Sequence, residues 1–202
     1  SKPGDPQDFQ MIYLVDMEHP GLVVFPTHRL VRDLPNFDKE AVLEKCSEFF
    51  YIDEKEGTDT MEEDLKKLYD EGKKAFGFYC GKGEWFLLTL KNIDFMSQML
   101  PDVSKASQSL DVSVLHTLIL EKIFGIDKEN MAKQINLTYT KFFTEAIDGV
   151  DKGEFQCSFV LNPTRVTEIR DVAAAGEKMP QKSTYFYPKM ITGMVMNNLG
   201  VD

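Results

Sequence analysis

Apolar and polar residues alternate along the chain with two periods, and each period predicts one type of secondary structure. In residues 155–161 every second residue is apolar, which is typical of a half-buried strand. In residues 111–125 apolar residues recur at helical spacing over a wide face, so a largely buried helix is predicted. Residues 9–16 and 22–25 are rich in strand-forming residues around a turn at 18–21, which predicts an N-terminal hairpin.

The same patterns predict an alternation of helices and strands through the rest of the chain. Local signals mark several ends: Asp38 as a helix cap, Thr60 with Glu63 as a capping box, and Thr164 as a cap. Helices are predicted at 38–50, 60–72, 128–134, 142–150 and 165–175, and strands at 51–52, 75–80, 84–90, 135–139, 185–187 and 191–197. These elements predict an α+β fold, a mostly antiparallel sheet with helices packed on it in a single domain.

The chain of 202 residues is long enough for one large domain with a proper core. Residues 1–8 are polar and turn-forming, and they are predicted to be disordered or derived from an expression vector. Residues 9–202 are predicted to form one α+β domain, with a weak subdivision at the linker-like segment 101–109.

Charge and cysteine content narrow the classes of function. A net charge of −10 argues against a protein that coats nucleic acid or an anionic membrane. The charge is concentrated in residues 33–71, which carry −9, whereas residues 162–192 carry +2. No apolar run is long enough to span a bilayer, and no secretion signal opens the chain. Three widely spaced cysteines suit free thiols in a reducing cytosol, so a cytoplasmic location is expected.

The segment from Gly176 to Gly193 concentrates hydrogen-bond donors between two prolines. Lysine and hydroxyl side chains suit a carboxylate or a phosphate, so an anion site is a hypothesis for this segment. The alternative is that the lysines are solvated and the hydroxyls cap a turn. The candidate ligand-binding residues are Lys182, Ser183, Thr184, Tyr185 and Lys189.

A phosphate-binding loop of the G-x-x-x-x-G-K-S type is excluded for this segment. Gln181 replaces the second glycine, and Pro180 removes a backbone donor from the cradle. The residues that follow Ser183 form strands rather than the required helix.

A second candidate site is the polar triplet Thr27-His28-Arg29, which is predicted to lie in a loop just after a strand. Hydroxyl, imidazole and guanidinium are suitable for binding an anion or moving a proton, although three polar residues in a loop are common. His116 is interpreted as the polar edge of its helix. No spacing of Cys and His predicts a metal site.

Four motifs together resemble the bacterial and archaeal family called domain of unknown function 1015. The longest of them runs to the end of the basic segment, and the four are spread over nearly the whole chain. They are Leu22-Val-Val-Phe-Pro-Thr-His-Arg-Leu30, Leu110-Asp-Val-Ser-Val-Leu-His116, Phe159-Val-Leu-Asn-Pro-Thr164 and Ala175-Gly-Glu-Lys-Met-Pro-Gln-Lys-Ser-Thr-Tyr-Phe-Tyr-Pro-Lys-Met-Ile-Thr-Gly193.

The resemblance implies that this chain is the C-terminal part of a longer protein. The N-terminal part of that family resembles ParB and sulfiredoxin-like proteins with an Asp-Gly-His-His-Arg motif, and some proteins with a similar motif phosphorylate free serine. The motif is absent here, and the nearest match is Thr27-His28-Arg29. The catalytic core is therefore expected upstream of Ser1, and no catalytic residue is assigned to this chain.

Two hypotheses for function follow. In the first, the chain is an accessory domain that recognises an anionic small molecule (phosphate, nucleotide or amino acid) for the larger enzyme, whose N-terminal domain is its partner and whose cofactor would be a nucleotide. In the second, it is a non-catalytic regulatory or oligomerisation domain. The second hypothesis predicts self-association through an exposed apolar patch at Phe86, Leu88, Met194 and Met196.

Overall fold

A six-stranded antiparallel sheet forms the centre of the fold. The structure is a computed structural model that describes residues 2–9, 12–189, 191, 193 and 196. Its strands are β1 (Val23–Phe25), β2 (His28–Val31), β3 (Phe50–Glu56), β4 (Ala75–Tyr79), β5 (Glu84–Leu90), β6 (Leu137–Thr140), β7 (Cys157–Val160) and β8 (Tyr185–Tyr187). The order in the sheet is β3-β5-β4-β7-β2-β6, and every neighbouring pair is antiparallel. The short strands β1 and β8 are not part of this sheet.

Helices connect most of the strands. The α-helices are α1 (Lys39–Cys46), α2 (Met61–Asp70), α3 (Asp94–Met99), α4 (Lys105–Gln108), α5 (Asp111–Val114), α6 (Lys128–Lys133), α7 (Phe143–Asp151) and α8 (Val166–Ala174). A short 3-10 helix, Pro6–Asp8, lies near the start of the chain. Within the described residues, no helix combines the length and the apolar character that a bilayer-spanning segment needs.

The contacts within the chain divide it into two units. The larger unit is Val24–Tyr185 and contains the whole six-stranded sheet. The remaining described residues form the smaller unit.

The sheet buries both of its faces, and side-chain alternation sorts the core into two clusters. On β4, Phe76 and Phe78 enter a large cluster that also contains most of the apolar residues of residues 110–126. On the other face, Tyr79 and Trp85 pack with apolar residues of α2 and α7. Successive residues of a strand point to opposite faces, and both faces of the sheet are covered. Every residue of β4 is therefore buried. The predicted α+β class, with helices packed on an antiparallel sheet, is confirmed.

Several local predictions are also confirmed. The hairpin of β4 and β5 is formed, with Phe78 opposite Phe86 in its register. Asp38 caps α1, because its carboxylate accepts a hydrogen bond from the backbone of Glu40. Gly176 follows α8 with a φ of 74°, a conformation that favours glycine.

Other local predictions are wrong. The described residues 12–16 form no strand, so the N-terminal hairpin is not formed there. Thr60 precedes α2 but makes no side-chain cap, and Arg165 takes the capping position that was predicted for Thr164. The predicted strand at 191–197 lies mostly outside the described residues.

The buried helix predicted at 111–125 is formed in two parts. It begins as α5 and continues as a π-helix, Leu115–Glu121. The wider turn shows in the backbone, where the amide of Lys122 donates to the carbonyl of Thr117, five residues earlier. Segments of π-helix occur often at functional sites. This segment contains His116, which contacts Arg29 of β2.

Candidate functional site

Arg29 is a charged residue on an internal strand of the sheet, β2, and has no solvent exposure. Strand β2 lies between β6 and β7, so Arg29 stands opposite Tyr139 on one side and Phe159 on the other. Cross-strand neighbours share a face, and the guanidinium carbon accordingly lies 5.3 Å from the centre of the Tyr139 ring. The sheet thereby holds a cation inside the core, where charges are costly.

The Arg29 guanidinium donates three hydrogen bonds, and none goes to a carboxylate. One Nη1–H donates to the backbone carbonyl of Thr27. The Nη2 atom donates to Nε2 of His116 at 3.1 Å and to the carbonyl of Lys182, also at 3.1 Å. Its Nε has no partner among the described residues, and no described carboxylate forms a salt bridge with it.

Protonation states follow from these contacts. Burial lowers the pKa of Arg29 to about 10, so the guanidinium is still charged at neutral pH. Burial, together with the Arg29 charge, places the pKa of His116 well below 6.5, so this imidazole is neutral. Because arginine only donates, Nε2 of His116 is the acceptor and the ring proton resides on Nδ1. The cluster of Arg29, His116 and Tyr139 therefore carries one positive charge that no carboxylate of the described residues compensates.

A cavity of about 490 Å³ opens beside this cluster, within the size range of small-molecule sites. His116 and Tyr139 form part of its wall, and Arg29, which is not itself a lining residue, contacts both of them. The hydroxyl of Tyr139 is buried and has no hydrogen-bond partner in the described chain. The other lining residues are Leu100, Val103, Ser107, Ser113, Thr117, Glu121, Lys128, Met131, Glu177, Lys178, Pro180 and Gln181.

The loop of residues 176–184, which follows α8, contributes one wall of the cavity. The carboxylate of Glu177 accepts hydrogen bonds from the backbone and hydroxyl of Ser104, each at 2.7 Å, and from the hydroxyl of Ser107. These bonds lower the pKa of Glu177. At the other end, the Lys182 carbonyl accepts from Arg29 and the Ser183 carbonyl accepts from Thr164 at 2.9 Å. The loop is thus held at both ends.

Thr27 lies in the loop between β1 and β2, as predicted, but His28 and Arg29 do not lie in a loop, because they belong to the internal strand β2. Strand alternation sends His28 to the face opposite Arg29, where its ring packs edge-on against Phe143. Its Nδ1 accepts a hydrogen bond from the amide of Leu161 at 3.4 Å, and burial with the Arg29 charge lowers its pKa to about 4. The triplet therefore does not converge on one site: Arg29 contacts the cavity wall, whereas His28 does not.

The C-terminal candidates are distributed among several environments. Lys182 has an exposed side chain and contacts Arg29 through its backbone carbonyl. Ser183 is buried, with a hydroxyl that has no partner in the described residues. Thr184 and Tyr185 are partly buried, and the Tyr185 ring lies beneath the ammonium group of Lys141. Lys189 is exposed and belongs to the smaller unit.

Sequence reasoning missed His116 and Tyr139. His116 was interpreted as a helix-edge residue without a partner, yet its partner Arg29 lies 87 positions away in sequence. The available signal was a histidine within a mostly apolar segment that predicts a largely buried helix. Tyr139 offered no signal, because a tyrosine in a strand is ordinary.

The apolar patch predicted for self-association is not exposed at its first two positions. Phe86 and Leu88 are buried in the large core cluster, because both strands of their hairpin are covered by helices. Met194 lies outside the described residues, and Met196 is exposed. The described residues contain no group of three or more His, Cys, Asp or Glu side chains placed to bind a metal ion.

Comparison with solved structures finds chains of low sequence identity. A conserved hypothetical protein from Pyrococcus furiosus is 20% identical, with a TM-score of 0.47 over 85% of this chain and 59% of its own. A free serine kinase in complex with AMP is 17% identical, with a TM-score of 0.48 over 85% of this chain and 56% of its own. This chain therefore spans less than two thirds of the length of these structures.

Comparison with curated proteins finds no match. Comparison with protein families does find one. Residues 1–113 match the family described as "Protein of unknown function (DUF1015)", which is more than half of the chain. The predicted membership of this family is thereby confirmed by residues 1–113, and the chain belongs to the DUF1015 family.

Proposed function

We propose that this chain recognises a small anionic molecule in the cavity beside Arg29, and that it does so as the accessory part of a larger enzyme. The observation that carries the proposal is a fully buried guanidinium without a carboxylate partner in the described chain, in contact with two residues of a cavity wall. A buried charge is normally paired, so an anion in the cavity would complete the arrangement.

The hydrogen-bond count supports a missing ligand. Arginine has five N–H donors, and Arg29 uses three of them within the described residues. The Tyr139 hydroxyl and the Nδ1–H of His116 add two further donor groups on residues of the cavity wall. Lys178 adds a cation to the lining. A carboxylate or phosphate would find both positive charge and donors there.

The magnitude of the effect is sufficient for selective binding. At a separation of about 6 Å and an effective dielectric constant near 20, two unit charges attract by about 3 kcal/mol. That energy corresponds to about a hundredfold in a dissociation constant. Arg29 could therefore distinguish an anion from a neutral molecule of the same shape without touching it.

A purely structural role for Arg29 is the competing explanation. The guanidinium joins β2 to the 176–184 loop through the carbonyls of Thr27 and Lys182, and this alone holds two segments together. Hydrogen bonds to carbonyls do not require a charged donor, however, and burial of an unpaired charge costs several kcal/mol. We therefore favour a role in which an anion offsets that cost.

The finer parts of the proposal concern the whole protein. Under this proposal, the larger enzyme would be ParB- or sulfiredoxin-like and related to free serine kinases. A nucleotide would be its cofactor, and the reaction would take place in its N-terminal domain. The ligand of this chain would be a phosphate, a nucleotide or an amino acid, and the protein would act in the cytoplasm.

The test is anion binding by the wild-type chain and by Arg29→Met. Isothermal titration calorimetry with phosphate, acetate, AMP and serine should detect at least one ligand, and Arg29→Met should weaken its binding about a hundredfold. Arg170→Met is the matched control, because Arg170 is exposed on α8 and pairs only with the adjacent Asp171 among the described residues.

Two results would contradict the proposal. One is that none of these anions binds the wild-type chain at millimolar concentration. The other is that Arg29→Met, shown to be folded by circular dichroism, binds them as tightly as Arg170→Met does.

A further inference from the structure

The cavity beside Arg29 also contains two carboxylates, and only one of them has partners. Glu177 is fully engaged by Ser104 and Ser107. Glu121 lines the same cavity, but its carboxylate forms no hydrogen bond and no salt bridge with any described residue. The lining, which also contains Lys128 and Lys178, therefore presents one carboxylate without a partner among the described residues.

The π-helix determines where Glu121 lies. Its backbone bonds reach back five residues, as from Phe124 to Ile119, so residues five apart follow each other by about one turn. His116 and Glu121 are five apart, and both line the cavity. The helix thus places the carboxylate one turn from the imidazole that contacts Arg29.

The described charged groups near Glu121 do not offset the effect of burial on its carboxylate. Partial burial raises the pKa of its carboxyl group, and Asp127 acts in the same direction. Lys128 opposes this effect, but it lies beyond salt-bridge distance in the described chain. A cationic group in the cavity would stabilise this carboxylate more directly than Lys128 does.

We propose that the ligand of this cavity is a zwitterion, with its anionic group toward the Arg29, His116 and Tyr139 cluster and a protonated amine toward Glu121. This inference rests on the proposed function and adds Glu121 as the residue that selects the amine. The apolar side chains Leu100, Val103, Met131 and Pro180 line the remainder of the cavity and suit an uncharged body between or beside the two charges.

Two chemical sources provide this charge pattern: an amino acid, whose anion is a carboxylate, and a phosphorylated amine. Matched pairs that differ only in the amine separate the contribution of Glu121 from that of Arg29. The carboxylate pair is β-alanine and propionate, and the phosphate pair is O-phosphoethanolamine and ethyl phosphate. Titration calorimetry of all four compounds compares the affinity within each pair, and comparison between pairs identifies the preferred anion.

We expect the wild-type chain to bind the amine-bearing member of the better pair at least tenfold more tightly than its amine-free partner. Glu121→Gln should abolish that preference by weakening only the amine-bearing compound. Glu129→Gln is the matched control, because Glu129 is exposed on α6 and pairs with Lys133. It should leave all four affinities unchanged.

The outcomes separate the two proposals. If amine-free anions bind in an Arg29-dependent manner but the amine gives no advantage, the zwitterion inference fails and anion recognition stands. The inference also fails if Glu121→Gln weakens both members of a pair equally. If none of the four compounds binds, the zwitterion inference fails, and anion recognition fails with it when phosphate, acetate, AMP and serine do not bind either.

Discussion

The partly buried cation Lys74 and the fully buried cation Arg29 have opposite surroundings in this protein. The ammonium group of Lys74 lies 2.9 Å from Asp111 and 3.0 Å from Glu168. Burial alone would lower the pKa of Lys74, but the two carboxylates outweigh burial and raise it. Arg29 is more deeply buried, and its pKa is lowered because no described carboxylate compensates the loss of water.

The difference indicates what each charge is for. Lys74 is a structural cation whose counter-ions come from the same chain, and its cluster ties the start of β4 to α5 and α8. Arg29 donates hydrogen bonds to two carbonyls and a neutral imidazole. These acceptors are uncharged, so none of them compensates the charge of the guanidinium. A cluster that lacks only a negative charge, beside a cavity, is suited to a ligand that brings one.

Removal of the Lys74 ammonium group is expected to cause the largest loss of unfolding free energy. Lys74→Met leaves the buried Asp111 carboxylate and the partly buried Glu168 carboxylate without their cation, and loss of one partner of a buried pair typically costs about 3 kcal/mol or more. Urea denaturation should show this loss of unfolding free energy. Lys73→Met is the neighbouring control, since Lys73 is exposed and should change stability by less than about 0.5 kcal/mol. Equal stability of the two variants would show that the Lys74 cluster contributes nothing.

The next effect concerns pH and the neutral imidazoles on the two faces of β2. His28 and His116 have a lower pKa in the folded than in the unfolded state, so acid favours the unfolded state, which binds more protons. Their contribution is complete above pH 6.5 and is lost as pH falls below it. For His28, whose folded pKa is about 4, the loss between pH 7 and pH 4 is about 3 kcal/mol.

Urea denaturation across this pH range measures that loss. His28→Asn and His116→Gln keep an acceptor where each ring nitrogen accepts and remove the titration, so each variant should show a flatter dependence of stability on pH. A dependence as steep as that of the wild-type chain in both variants would show that these imidazoles do not remain neutral.

The smallest expected effect concerns the hydroxyl of Tyr139, which lies in the Arg29 cluster. Tyr139→Phe removes only a hydroxyl that has no partner among the described residues, so the unfolding free energy should stay the same or rise slightly. If that hydroxyl donates to a bound anion, affinity should fall about tenfold, which corresponds to about 1.4 kcal/mol. Calorimetry with the best anion measures the affinity. Unchanged affinity would remove Tyr139 from the site.

Local elements were predictable wherever their cause was local. The hairpin of β4 and β5, the cap at Asp38 and the glycine after α8 follow from neighbouring residues, and each is present. The Thr27-His28-Arg29 segment was assigned to a loop, yet His28 and Arg29 lie on β2, between β6 and β7. Pairing with distant strands outweighed the cost of burying those side chains, and local sequence does not contain that information.

The α+β class, the membership of a family and the positions of most helices could be predicted from the order of residues, because backbone hydrogen bonds within a helix or hairpin join near neighbours. The candidate site, in contrast, depends on contacts that form only when the chain folds. Arg29 meets His116 across 87 positions and the carbonyl of Lys182 across 153. Whether a charge is paired depends on which distant groups surround it after folding, and for that reason the uncompensated guanidinium becomes visible only in three dimensions.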